Sequence, residues 1–233
     1  MLLGGGRALL MQLAHPAVAT GVAEHSSFRT DRLARLLSTL RPTRAIVYGT
    51  REQALEAVAS IRGRHATVTG EGYSADDPDL LFWVLATLID TTLLMHERFL
   101  RPLSPCLAEA YYRDMLAIGE LLGVSSAHAP PDLQSCRRYR SETERGLTVS
   151  PVARRLAGEL FGGGGATGLV MRPLRQLKAA LLPPALREQY GLDWGTKRET
   201  GFEAFTRASR LLLPLAPASL RRPPALLLPP RVP

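Results

Sequence analysis

Asp77-Pro78-Asp79-Leu80-Leu81-Phe82-Trp83-Val84-Leu85-Ala86-Thr87-Leu88-Ile89-Asp90 opens with a helix-start signal and continues as an almost unbroken apolar run. Asp77 can cap the first turn, and Pro78 suits the first helical position, where a missing amide proton costs nothing. Asp90 stops the run well short of the ~20 apolar residues that a membrane span needs. The stretch therefore predicts a helix buried in a core, continuing to about Leu100, and no transmembrane segment.

The same device recurs on either side. Ser104-Pro105 and Ser150-Pro151 start helices expected to end at Gly123 and Gly162, and Thr50 with Gln53 forms a capping-box pattern at the head of a helix reaching about His65. Residues 5–24 show apolar spacing at Leu9, Leu10, Leu13, Ala17 and Gly21, with a kink expected at Pro16. Asp31 starts a short helix that should end near Pro42, and further helices are expected over residues 173–182 and 196–213. No alternation of apolar and polar residues is long enough to predict a strand. The fold class is all-α, a single-domain multi-helix bundle over residues 1–213. Seven of the 18 prolines lie between Leu211 and Pro233, so residues 214–233 read as a proline-rich tail, extended or disordered.

Composition narrows the function. At 233 residues and 45% hydrophobic the chain can bury a core without disulfide or metal staples. Cys106 and Cys136 lack CxxC spacing, which excludes a zinc ribbon, an iron–sulfur cluster and a disulfide scaffold, and points to free thiols in a reducing compartment. Residues 8–19 imitate a signal peptide, but Gln12 and His15 interrupt the apolar part, so the expected location is cytoplasmic. The net charge is +8, yet the basic residues are spread along the chain, and only Lys178 and Lys197 among the 29 are lysines. Without a basic cluster, no specific nucleic-acid partner is expected. Gly4-Gly5-Gly6 and Gly162-Gly163-Gly164-Gly165 lack the Lys-Ser/Thr of a phosphate loop and read as a helix terminus and a loop. Neither a GxSxG elbow nor an HExxH pair is present.

The histidines are more informative. His65 continues the apolar row Ala54, Val58, Ile61 at spacings of four, three and four, so its ring should face the interior. Such a residue is either a core histidine bonded to a carbonyl or a neutral imidazole of the kind that haem iron takes as a proximal ligand. His15 precedes Pro16 and can satisfy backbone groups freed there, and His25 ends a helix, where it can meet exposed carbonyls. Arg35 and Thr39 lie four apart and share a helix face, where a guanidinium and a hydroxyl can address one ligand, although the spacing alone is more often that of a solvated surface.

Several stretches together resemble the MpaB-type oxygenases, which include the latex-clearing rubber oxygenases. They are Leu10-Met11-Gln12-Leu13-Ala14-His15-Pro16-Ala17-Val18-Ala19, Gly21-Val22-Ala23-Glu24-His25-Ser26, Arg35-Leu36-Leu37-Ser38-Thr39, Tyr48-Gly49-Thr50, Arg62-Gly63-Arg64-His65-Ala66 to Gly70, and Asp77 to Val84. Weaker likeness extends through Leu182-Pro183 and Leu186-Arg187 to Leu213-Pro214 and Arg221-Arg222-Pro223. The resemblance implies a helical bundle enclosing a b-type haem that activates dioxygen toward a hydrophobic, isoprenoid-like substrate. His65 resembles the proximal iron ligand. Arg35 and Thr39 resemble the arginine and threonine of the distal helix, which touch the cofactor site and take part in catalysis. Ser38 stands where the rubber oxygenases have a lysine able to cap the iron, and Leu85 where many relatives place a histidine after Trp-Val. Beside the haem oxygenase stands a second reading, a haem-free helical module that binds a lipid or protein through a degenerate pocket.

Overall fold

The computed structural model describes residues 4–25, 42–125, 127, 129–161 and 176–216. The first helical segment is two helices, α1 (Gly5–Ala14) and α2 (Pro16–His25). What the sequence predicts as a kink is a complete break. His15 is extended at φ −76°, ψ 123°, and Pro16 occupies the first position of α2, where no amide donor is needed. Residues 42–48 are helical. Most of the helix expected from Asp31 to Pro42 falls outside the described residues, as do the glycines at 162–165 and the tail beyond Ala216.

Helix α3 (Arg51–His65) begins with the expected capping box: the Thr50 hydroxyl accepts from Gln53 N at 3.3 Å, and Thr50 N donates to Gln53 Oε1 at 3.0 Å. A small hairpin follows, β1 (Thr69–Gly70) and β2 (Tyr73–Ser74), paired antiparallel with Gly70 opposite Tyr73. Its two-residue turn, Glu71–Gly72, needs Gly72 at φ +76°. This hairpin corrects the expectation of no strand; two residues per strand are too few to leave an alternating pattern.

Helix α4 (Pro78–Phe99) starts as read, with Asp77 Oδ1 accepting from Asp79 N and Leu80 N at 2.8 and 3.3 Å. It is long and apolar enough, by length and composition, to cross a membrane, yet it is the central helix of the bundle. Helices α1, α5 (Pro105–Leu121), α6 (Leu133–Gly146) and α9 (Thr196–Leu212) all pack against it. Helix α5 ends two residues before Gly123, whose φ of +103° closes the terminus with Val124 N donating to Gly119 O at 2.9 Å. The sequence reading did not foresee α6. Helix α7 (Pro151–Phe161) has the expected start, with Ser150 Oγ accepting from Ala153 N at 3.1 Å, and residues 176–181 and α8 (Pro184–Gln189) lead into α9. Leu213–Leu215 add a 3-10 turn beyond the expected boundary.

Burial explains why α4 is central. Trp83 joins Leu10, Met11 and Leu13 of α1 and Leu156 of α7 in one apolar cluster. Phe82, Leu85 and Ile89, on another face, pack with Tyr112 of α5 and Leu133 and Cys136 of α6. Met95 and Phe99 meet Leu181 and Phe202. Gly119 permits the close approach of α5, since a Cβ there would lie 2.6 Å from Leu85 Cδ2. Asp90 sits among these faces without penalty because it is paired: Arg7 of α1 reaches Asp90 Oδ2 at 2.5 Å and Arg140 of α6 reaches Oδ1 at 3.2 Å. Arg7 is buried, and its other donors meet Thr91 Oγ1 at 2.6 Å and Leu181 O at 2.8 Å. Tyr190 likewise ties the end of the chain to its beginning, donating to Leu10 O at 2.7 Å.

Candidate functional site

The apolar row of α3 faces inward as its spacing predicts: Val58 is buried, and Ile61 and His65 line a cavity of about 490 Å³. That volume lies within the roughly 300–1,000 Å³ of small-molecule sites. Val18 and Val22 of α2, Val68 before the hairpin, and Leu80 and Val84 of α4 give it a predominantly apolar wall. Gln12, Arg64 and Tyr73 supply polar groups. Gln12 is held by donating from Nε2 to Thr87 Oγ1 at 3.1 Å.

His65 has a buried Nδ1 with no hydrogen-bond partner, so that nitrogen does not make the carbonyl bond expected of a core histidine. Burial pushes its imidazole below the usual range, with Asp76 opposing and Arg64 assisting. The ring is thus kept neutral, the form in which it can ligate a metal. His15 Nδ1 is also buried and unpartnered, so that nitrogen does not serve the backbone freed at Pro16; burial lowers the imidazole's pKa against the pull of Asp77. His15 is not among the residues lining the cavity.

His25, which also lines the cavity, does meet a carbonyl, as its place at a helix end suggests. Its Nε2 lies 3.2 Å from Thr69 O and 3.0 Å from the Tyr73 hydroxyl, which donates to Glu24 Oε2 at 2.5 Å. That bond to Glu24, with burial second, pushes the Tyr73 phenol up to about 12. The ring of Tyr73 lies between two glycines: a Cβ on Gly70 would come 2.5 Å from Cε1, and one on Gly21 3.2 Å from Cε2. Sequence reasoning missed this Glu24–His25–Tyr73 group, since its members lie almost fifty residues apart and only the hairpin turn at Gly72 brings them together.

Arg35, Ser38 and Thr39 lie outside the described residues. Leu85 is described, and it faces away from the cavity into the α4–α5–α6 core, while its neighbour Val84 lines the cavity. The family model described as "ER-bound oxygenase mpaB/B'/Rubber oxygenase, catalytic domain" matches residues 1–211. The chain belongs to this family. As an MpaB/rubber-oxygenase catalytic domain it is an oxygenase-type protein, and the match runs from ahead of α1 into the last turn of α9. No curated protein and no solved structure matches the chain. The cavity is walled chiefly by α2, α3, the hairpin and α4, all within the matched residues.

Proposed function

We propose that this family member is a haem-dependent oxygenase that uses dioxygen on a hydrophobic, isoprenoid-like substrate, with His65 as the iron ligand. The observation carrying this reading is a neutral, partly buried imidazole, its Nδ1 unpaired, on the wall of a largely apolar cavity. The residues present fit the group. Among the described residues no three His, Cys, Asp or Glu side chains are grouped to hold a bare ion. Haem would bring the remaining ligands of its iron to His65. Bound there, haem b supplies the iron chemistry that lets dioxygen react with an alkene.

The chain's own residues then have separable tasks. His65 donates a lone pair that burial keeps free of a proton. Val18, Val22, Leu80 and Val84 exclude water and accept an apolar substrate by shape. Arg35 and Thr39, carried over from the resemblance, stabilise negative charge on oxygen and orient it by hydrogen bonding. We place the protein in the cytoplasm, consistent with free thiols at Cys106 and Cys136.

The test is the absorption spectrum of protein made with ample iron and haem precursor. A Soret band at about one haem per chain is expected, lost in His65→Ala and kept in His15→Ala and His25→Ala. A colourless protein that refuses added haemin would instead favour the haem-free lipid- or protein-binding module. Haem retained in His65→Ala but lost in either other variant would move the ligand to another helix.

A further inference from the structure

We propose that Gln12 recognises the substrate, its side-chain carbonyl accepting a hydrogen bond from a hydroxyl group on an otherwise apolar molecule. Between Leu10 and Ala14 only Gln12 is polar, and Leu10, Met11, Leu13 and Ala14 are all buried in the first apolar cluster. Gln12 instead lines the cavity, together with Val18, Val22, Leu80 and Val84. Thr87 is the positioning residue that decides which end of the amide faces inward. Its hydroxyl donates its one proton to Val84 O at 2.7 Å, so its oxygen can only accept, and it accepts from Gln12 Nε2 at 3.1 Å. Thr87 is fully buried, so water does not compete for that oxygen. The nitrogen end of the amide is thereby turned toward α4. Oε1, neither sealed in the core nor met by a donor among the described residues, is left to the cavity.

The other polar groups on the wall are differently placed. The Tyr73 hydroxyl and His25 Nε2 are engaged with Glu24, Thr69 O and each other. Ser74 Oγ accepts from Asp76 N at 3.3 Å. Arg64 is exposed and carries donors only, so it cannot take a hydroxyl proton. His65 is taken by iron in the function proposed above, and the inference rests on that reading for the apolar body of the substrate. In an apolar pocket a few oriented polar groups decide which molecule is held. A hydrocarbon or an ether at this place would strip the water from Oε1 and leave it unpaired, whereas an alcohol supplies the missing proton.

The test is calorimetric titration of the full chain, with and without haem, using farnesol and its methyl ether as probes. The ether keeps the apolar chain and the oxygen but lacks the proton. Farnesol is expected to bind about tenfold more tightly, the scale of one neutral hydrogen bond whose loss leaves an acceptor unpaired. Gln12→Leu should abolish that ratio by weakening farnesol and not the ether, and Gln12→Met serves the same purpose if the leucine variant does not fold. Thr87→Val should shrink the ratio too, because the amide loses the acceptor that turns it, and Thr87→Ser should restore it. A purely structural bond between Gln12 and Thr87 would move the melting temperature and leave the ratio untouched. The proposal is overturned if farnesol binds neither form of the protein, or binds no more tightly than the ether. It is overturned equally if the preference survives in a folded Gln12 variant, which would put the acceptor elsewhere on the wall. Failure of the haem reading is visible separately, since a protein without a Soret band still yields the ratio.

Discussion

An imidazole nitrogen buried without a partner has lost its water and received nothing in return, and both His15 and His65 are in that position. Their folded pKa values lie below the ~6.5 of an unfolded histidine, so between those values the unfolded chain binds more protons than the folded one. Stability should be full above about pH 6.5 and should fall as the pH drops through the lower folded values. Urea denaturation of the haem-free protein on either side of that range checks this, with His15→Gln and His65→Gln each flattening the dependence. Catalysis is predicted to divide differently. Arg35→Ala and Thr39→Val should leave the Soret band intact and slow oxygen uptake, each by about a hundredfold, the scale of one lost donor to a developing oxyanion. His65 was legible as an inward residue because its row of four positions repeats at helical spacing. Tyr73 was not, since nothing in its neighbourhood shows that a ring will pass between Gly21 and Gly70.

Among the elements, the helix starts were the most legible part of the chain. Thr50, Asp77, Ser104 and Ser150 all cap as their local sequence indicates, because a cap depends on atoms within three residues of it. Helix α6 escaped notice for the opposite reason. Its composition is overwhelmingly polar, and only the narrow seam of Leu133, Cys136 and Tyr139 meets the core; the one local signal is Asp132, whose Oδ1 accepts from Ser135 N at 2.7 Å. What retains α6 is in large part electrostatic. Arg140 pairs with Glu144 on its own helix and with Asp90 on α4, and Asp90 also neutralises the buried Arg7. Asp90→Ala would leave that guanidinium uncompensated, so a loss of roughly 3–5 kcal/mol is expected in urea denaturation. Arg140→Ala should cost less, because Arg7 would keep its carboxylate.

At the scale of the whole molecule, α4 divides the bundle into apolar clusters, and among the described residues the last member of any of them is Phe202. A chain ending at Ala216 is expected to keep its helicity and its melting temperature, measured by circular dichroism. The beginning of the chain is not dispensable in the same way. Helix α1 gives Leu10, Met11 and Leu13 to the first cluster, yet Arg7 finds the Leu181 carbonyl 174 residues later and Leu10 O meets Tyr190 180 residues later. A ribosome adding about 5–20 residues per second needs roughly ten to forty seconds to make that interval. For most of that time α1 can pack only against the early helices α2 and α4, and the part of it that meets Leu156, Leu181 and Tyr190 has no partner. Its protection during translation falls to whatever in the cell shields nascent apolar segments, and closure of the bundle becomes one of the final events in the making of each molecule.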